Sequence, residues 1–355
     1  MARILIKGGR VFDGEGFLTA DVLTDGKRVA EIAGYIRDSE AYLYDATGLA
    51  VLPGLVDLHA HLRVSPYDEF GVNAELSSLP FGVTAAADAG RAVGDVAILD
   101  SFTLKSVVFV NITFQNNRPD LGKAEEALAH FGKRAVGVKV YFDTAISEVT
   151  DISPLAEVSA FARERGLRVM VHPSGSPTPM AEILRVLQRG DILTHAFHGA
   201  PHTAAEDGFR SMQEAQARGV VIDAGFAGHI HTDFRVFREA IAAGILPDTI
   251  SSDITKFSAF TRGGRYGMTM CMTMARHMGM REEDIFRAVT LTPAKALGKA
   301  GEWGCLRVGG PADIAVLEYG DEGFTLTDRA KNRLESQRGY RCLTTVLDGQ
   351  IVYQH

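Results

Sequence analysis

The middle of the chain alternates strand and helix eight times, and few folds accommodate such a pattern. The strand segments are GLVDLHAHL, VTAAADAG, SVVFVNITF, AVGVKVYFD, LRVMVHPSG, DILTHAFHG, GVVIDAGFA and DTISSDIT. Segments of 3.6-residue period separate most of them, among them AEEALAHFGKR, SPLAEVSAFARERG, MAEILRVLQRG and FRVFREAIAAG. Ser153-Pro154 is a helix-start signal, and Gly166, Gly190 and Gly219 follow arginines as stop signals. Apolar strands alternating with helices predict a parallel sheet covered on both faces. Eight units over about 250 residues predict a closed (β/α)8 TIM barrel. An open doubly wound sheet is the competing architecture. No GxGxxG or GxxxxGK[ST] loop follows an early strand to support it.

The two ends resemble each other. DVLTDGKRVAEI sets Asp25-Gly26 between alternating runs, and TTVLDGQIVY does the same with Asp348-Gly349. Asp-Gly in that setting predicts a hairpin. Residues 1–50 and 302–355 are therefore expected to build one small β domain from both termini, with 51–301 as the barrel. GMTMCMTMARHMGM reads as a buried helix packed on that barrel. A chain of 355 residues with 46% hydrophobic and 23% charged residues and a net charge of −7 has the profile of a soluble enzyme. Mild acidity argues against nucleic acid or anionic membrane as partner. Three cysteines, Cys271, Cys305 and Cys342, point to reduced thiols and a cytoplasmic location. The N-terminal apolar run, broken by Lys7, is too short for a signal or membrane segment.

The first barrel strand ends in His59-Ala60-His61. Alternate side chains of a strand share a face, so the two imidazoles lie about 6–7 Å apart along the backbone and can grip one metal ion. The bland alternative is one satisfied polar histidine and one chance neighbour. With Asp57, the stretch PGLVDLHAHLR resembles the amidohydrolase superfamily, metal-dependent hydrolases on a TIM barrel, often with a β-sandwich beside it. PFGVTAAADAG, GVKV, THAFHG and DTISSD are similar to its dihydroorotase-like amidohydrolase/deacetylase group.

The resemblance implies further ligands at later strand ends, where barrel active sites lie. Lys139 sits in the apolar fourth strand. It has three readings: a salt bridge, a Schiff-base lysine of an aldolase, or a carbamate formed with CO2. Beside His59 and His61, the carbamate is favoured, as in binuclear members of the superfamily. His172 and His195 end strands five and six, and each alone is more often structural. Asp253 ends strand eight, where a bland aspartate would cap a helix. By resemblance, His59, His61 and Asp253 hold one ion and His172 and His195 a second. Carboxylated Lys139 and a hydroxide join the two, and Asp253 shuttles the proton. The N/O donor set suits Zn2+, with Mn2+, Fe2+ and Co2+ as alternatives.

Substrate choice is expected in the βα loops, from Arg63, Tyr141, His198, His229, His231, Arg262 and Arg265. By resemblance, Arg63 would bind a substrate carboxylate; its alternative is a salt bridge across the barrel mouth. GVKVYFD and IDAGFAGHIH depart from the group's pattern, so no particular substrate carries over. The expected function is binuclear hydrolysis of an amide, or an ester, of a small carboxylated molecule such as an N-acyl amino acid or O-acyl hydroxy acid. A cyclic-amide hydrolase, a Schiff-base aldolase and a non-catalytic scaffold are the alternatives. A small-molecule substrate is the expected partner, and a homo-oligomer is open.

Overall fold

The computed structural model describes residues 3–65, 68–91, 94–228, 230–260 and 266–355. Seven strands form one parallel sheet in chain order: Leu55–Ala60, Val83–Arg91, Lys105–Ile112, Ala135–Tyr141, Arg168–His172, Ile192–Leu193 and Val221–Ile222. Every residue of Leu55–Ala60 is buried, as a strand covered on both faces requires. Helices follow where the 3.6-residue periodicity places them, including Leu121–Phe131, Ser153–Glu164, Met180–Val186 and Phe234–Ala242. Asp120 caps the first of these by accepting from the Lys123 amide.

The eighth expected strand takes a different form. Residues 249–254 join the sheet only by single parallel bridges, Asp223 to Thr249 and Ala60 to Ile254. Backbone bonds on both sides hold the segment between the last and first strands: Phe226 N donates to Ser251 O, and Asp253 N to His59 O. Asp253 has φ +45°, in the left-handed region, so an extended ladder cannot pass through it. His195, at φ +54°, likewise ends the sixth strand after two residues.

The termini form a separate, mostly antiparallel sheet of eight strands. Its members are Arg3–Phe12, Phe17–Asp25, Arg28–Ala33, Tyr42–Asp45, Ala50–Pro53, Ile314–Thr327, Arg333–Leu347 and Gln350–Gln354. All eight are hydrogen-bonded into one connected sheet. Both Asp-Gly hairpins are present, and their turns touch: a Cβ on Gly349 would lie 1.8 Å from Gly26 O. Ala50–Pro53 pairs in this sheet, with Gly54 alone separating it from the first parallel strand. The Met-rich segment is the helix Met268–Met278, largely buried, and its Thr273 Oγ1 accepts from Tyr340 N of the terminal sheet at 2.9 Å.

The long hairpin Ile314–Thr327/Arg333–Leu347 carries its turn to the start of the helix Phe234–Ala242. Asp328, buried, accepts from Phe234 N (2.7 Å), Asn332 N (2.7 Å) and Asn332 Nδ2 (2.8 Å). Asn332 Nδ2 also donates to Asp233 Oδ1 at 3.2 Å. The turn thus helps cap the helix Phe234–Ala242. Asp328→Ala should cost about 1–3 kcal/mol by stranding these donors. It is expected to lower Tm by several degrees, and an unchanged Tm would show that the turn is not fixed by this cap.

Candidate metal centre

Strand ends bring the expected donors to one place. His59, His61, Lys139, His172, His195 and Asp253 are all buried. Asp253 Oδ1 lies 3.2 Å from His59 Nε2 and 3.0 Å from His61 Nε2, and Oδ2 lies 3.6 Å from His195 Nε2. Lys139 Nζ is 3.1 Å from His59 Nε2 and 3.4 Å from Met170 Sδ. Two groups emerge, His59–His61–Asp253 and His172–His195–His231, each with its donor atoms within 4.8 Å of one another.

The surroundings settle which ring nitrogens carry protons. Thr194 Oγ1 donates to Asp223 Oδ2 at 2.7 Å, so at 2.9 Å it accepts from His59 Nδ1–H. Asp223 is itself fixed by the hydroxyls of Thr249 and Ser251. His195 Nδ1 donates to Gly225 O at 2.6 Å, and His172 Nε2 donates to Asp143 Oδ2 at 3.3 Å. In neutral rings this leaves His59 Nε2, His195 Nε2 and His172 Nδ1 as bare lone pairs. Gly225 is required here. Its φ is +51°, and a Cβ would meet Thr194 Oγ1 at 2.4 Å and His195 Nδ1 at 2.7 Å.

Burial pushes His59 and His195 well below the usual histidine range and lowers His172 as well. A carboxylate thus faces bare imidazole nitrogens that resist protonation. Among the described residues, His195 Nε2 and Asp253 Oδ1 have no hydrogen-bond partner. A cation among these atoms relieves the lone-pair opposition, so the donor set fits divalent metal ions. Lys139 is fully buried, which pulls its pKa down to about 7.

The other sequence candidates divide. Tyr141 stands beside the centre, its ring 5.6 Å from that of His172. His231 packs on His195 and His172, with ring centroids 4.3 and 4.7 Å apart. Arg63 is exposed and lines a cavity of about 1090 Å3 with Phe81, Phe102 and Phe260; none of the grouped donors lines it. A smaller cavity of about 380 Å3 is lined by His198, His231, Ser174 and Arg329. His229, Arg262 and Arg265 lie outside the described residues.

Thr194, Asp223 and Asp143 were missed from the sequence. Asp143 follows Lys139 by four residues on the same strand end, a parity signal that was available. Thr194 and Asp223 belong to different strands, and only the fold brings them together.

A buried histidine–carboxylate cluster at the C-terminal edge of a parallel sheet defines a metallohydrolase-like site. The amidohydrolase family model matches residues 50–352, and the chain belongs to that family. It is a hydrolase acting on carbon–nitrogen bonds. It is 26% identical to a deacetylase of Enterococcus faecalis over 98% of both chains. It is also 26% identical to a dihydroorotase of Anaeromyxobacter over 99% of this chain and 98% of the other. A deacetylase of Agrobacterium fabrum is 28% identical over 86% of this chain and 79% of its own length. Among solved structures, a dihydroorotase superposes with TM-score 0.86 at 22% identity, covering 100% of this chain and 98% of the other. An adenine deaminase does so with TM-score 0.87 at 24% identity over the whole of both. Among the described residues, no helix is long and apolar enough to cross a membrane.

The hydrogen-bond relay behind His59 yields a test. Thr194→Val keeps the side chain's shape but removes the acceptor for His59 Nδ1–H. Metal affinity should fall ~10–100-fold, the usual effect of losing such a partner. Competition against a chelator measures it, and unaltered affinity would show that the relay does not orient His59.

Proposed function

We propose that this chain is a binuclear metal-dependent hydrolase on a closed (β/α)8 barrel. It would cleave the amide, or ester, of a small carboxylated substrate such as an N-acyl amino acid or O-acyl hydroxy acid. The observation that carries this reading is the convergence of bare imidazole nitrogens on the Asp253 carboxylate. The bridges that hold residues 249–254 between the outermost strands support barrel closure. Relatives named deacetylase support an acyl substrate. His59, His61 and Asp253 would hold one ion and His172 and His195 the other, with Zn2+ the best match to the donors.

Lys139 is proposed to join the two sites as a carbamate. Its uncharged amine adds to CO2 and loses one proton, giving a buried carbamate anion. Met170 and His59 are the amine's hydrogen-bond partners and neither is a carboxylate, while the Asp253 and Asp223 charges act on it only from a distance. The bound ions supply Lewis acidity and an activated water. Asp253 takes a proton on a carboxylate oxygen and returns it to the leaving nitrogen or oxygen. His59, His172 and His195, their tautomers fixed from behind, keep their donor atoms aimed inward. A scaffold without catalysis would be free to lose donors, and all six are present. Borohydride trapping on Lys139 would instead support an aldolase.

Zinc-loaded protein should be assayed against N-acyl amino acids, O-acyl hydroxy acids and cyclic ureides. Turnover within the first two sets supports the proposal. Turnover confined to cyclic ureides would favour the dihydroorotase-type alternative, and none at all would contradict a hydrolase of this kind. Asp253→Asn should retain much of the metal yet lose at least ~100-fold in activity, as expected for a lost general acid/base. Near-normal turnover would assign the proton to another group.

Because the Lys139 pKa is pulled down to about 7, the uncharged amine gains population as pH rises through neutrality. Reconstitution of metal-free protein with zinc and bicarbonate should therefore be more complete at pH 8 than at pH 6. Equal reconstitution at both would argue against carbamate formation at this amine.

A further inference from the structure

The smaller cavity lies next to the metal centre, with the His231 ring, which packs on His172 and His195, in its wall. Four buried polar atoms of residues that line it, Ser174 Oγ, His198 Nε2, His231 Nδ1 and Thr232 Oγ1, have no hydrogen-bond partner among the described residues. Ser174, His198 and Thr232 are each more than nine-tenths buried. Leaving so many buried polar atoms unpaired in one small space costs stability unless something else pairs with them.

The rim of this cavity is cationic. Arg329 comes from the terminal-sheet turn whose Asp328 and Asn332 lock onto the helix Phe234–Ala242. Its positive charge reaches both His198 and His231. Arg235 is a second lining guanidinium, and Asp233 is the lining carboxylate. The Asp233 charge is engaged: its Oδ1 accepts from Arg235 N, Val236 N and Asn332 Nδ2. With Arg235 Nε paired to Glu239 Oε1 at 3.9 Å and the Asp233 charge engaged in capping, the Arg329 guanidinium leaves the cavity suited to an anion.

We propose that this cavity is the subsite for the substrate's carboxylate, with Arg329 as its cationic partner and the Ser174 and Thr232 hydroxyls as its donors. The assignment rests on the hydrolase reading above and names the element that recognises the acid. His198 refines it. Its Nδ1 donates to Gly199 O at 2.7 Å, so its Nε2 is an acceptor. A carboxylate flanked by an N–H or O–H offers acceptors to the guanidinium and hydroxyls and a donor to His198 Nε2. An N-acyl amino acid offers that N–H and the corresponding ester does not, so the cavity favours amide over ester substrates. A fork reaching over from the terminal domain thus takes the role that the sequence suggests for Arg63.

The test uses zinc-loaded full-length protein and two small probes, glycolate and its neutral counterpart glycolamide, with affinities read by titration calorimetry or ligand-observed NMR. Arg329→Met should weaken glycolate at least ~10-fold, the scale of a lost charged hydrogen bond, and glycolamide far less. Arg329 is exposed, and its replacement leaves the Asp328 and Asn332 caps in place; an unchanged Tm confirms a folded variant. Equal glycolate affinity in wild type and Arg329→Met, as binding through metal alone would give, overturns the proposal. So does wild-type protein that does not bind glycolate, or a loss produced by Arg63→Met and not by Arg329→Met. Arg329-dependent glycolate binding in a protein that hydrolyses no acyl substrate would uphold the subsite while refuting the hydrolase reading.

Discussion

Everything at the active end of this protein is organised around one unfavourable contact. The Asp253 carboxylate faces the Nε2 lone pairs of His59 and His195, whose opposite nitrogens are committed to Thr194 and to the Gly225 carbonyl. Low dielectric makes such an opposition costly and makes a cation placed within it correspondingly favourable. The backbone is shaped to hold it. Asp253 and His195 both occupy left-handed conformations, a strain that concentrates at functional sites. The same departures shorten the sixth strand and reduce residues 249–254 to single bridges. Sheet regularity gives way where the donors must turn inward.

The terminal sheet is more than an appendage to this arrangement. Its first-half strands deliver the chain, through Gly54, directly into the strand that bears His59 and His61. Its long hairpin returns at the far end of the sequence to cap a helix after the seventh strand. The two cavities near the centre consequently differ in construction. The larger is walled mainly by aromatic and aliphatic side chains around Arg63, whereas the smaller joins the turn carrying Arg329 to the wall of metal-site histidines.

Much of this was legible in the sequence because period and position carry it. Alternation of apolar strands and 3.6-period helices marked the seven-stranded parallel sheet, and two Asp-Gly turns marked the terminal sheet. His59, His61, Lys139, His172, His195 and Asp253 stood out as polar residues at the ends of apolar runs, and the fold brings their side chains together. What stayed hidden depends on contacts between distant segments. Nothing local marks Thr194 as the acceptor for His59, or places Arg329 from the terminal domain beside His198. Positive φ at Asp253 is likewise set by tertiary demand: Asp is depleted in strands and tolerates the left-handed region, but that tendency does not single out this position.

On this reading the donors hold two ions joined through a modified Lys139. Diffraction from crystals grown with zinc and bicarbonate, recorded at the zinc absorption edge, addresses it directly. Two anomalous peaks are expected, one among His59, His61 and Asp253 and one at His172 and His195, with added carboxyl density on Lys139 Nζ between them. A fully metallated, active crystal with an unmodified lysine amine, or a cluster that takes up no metal at all, would contradict it.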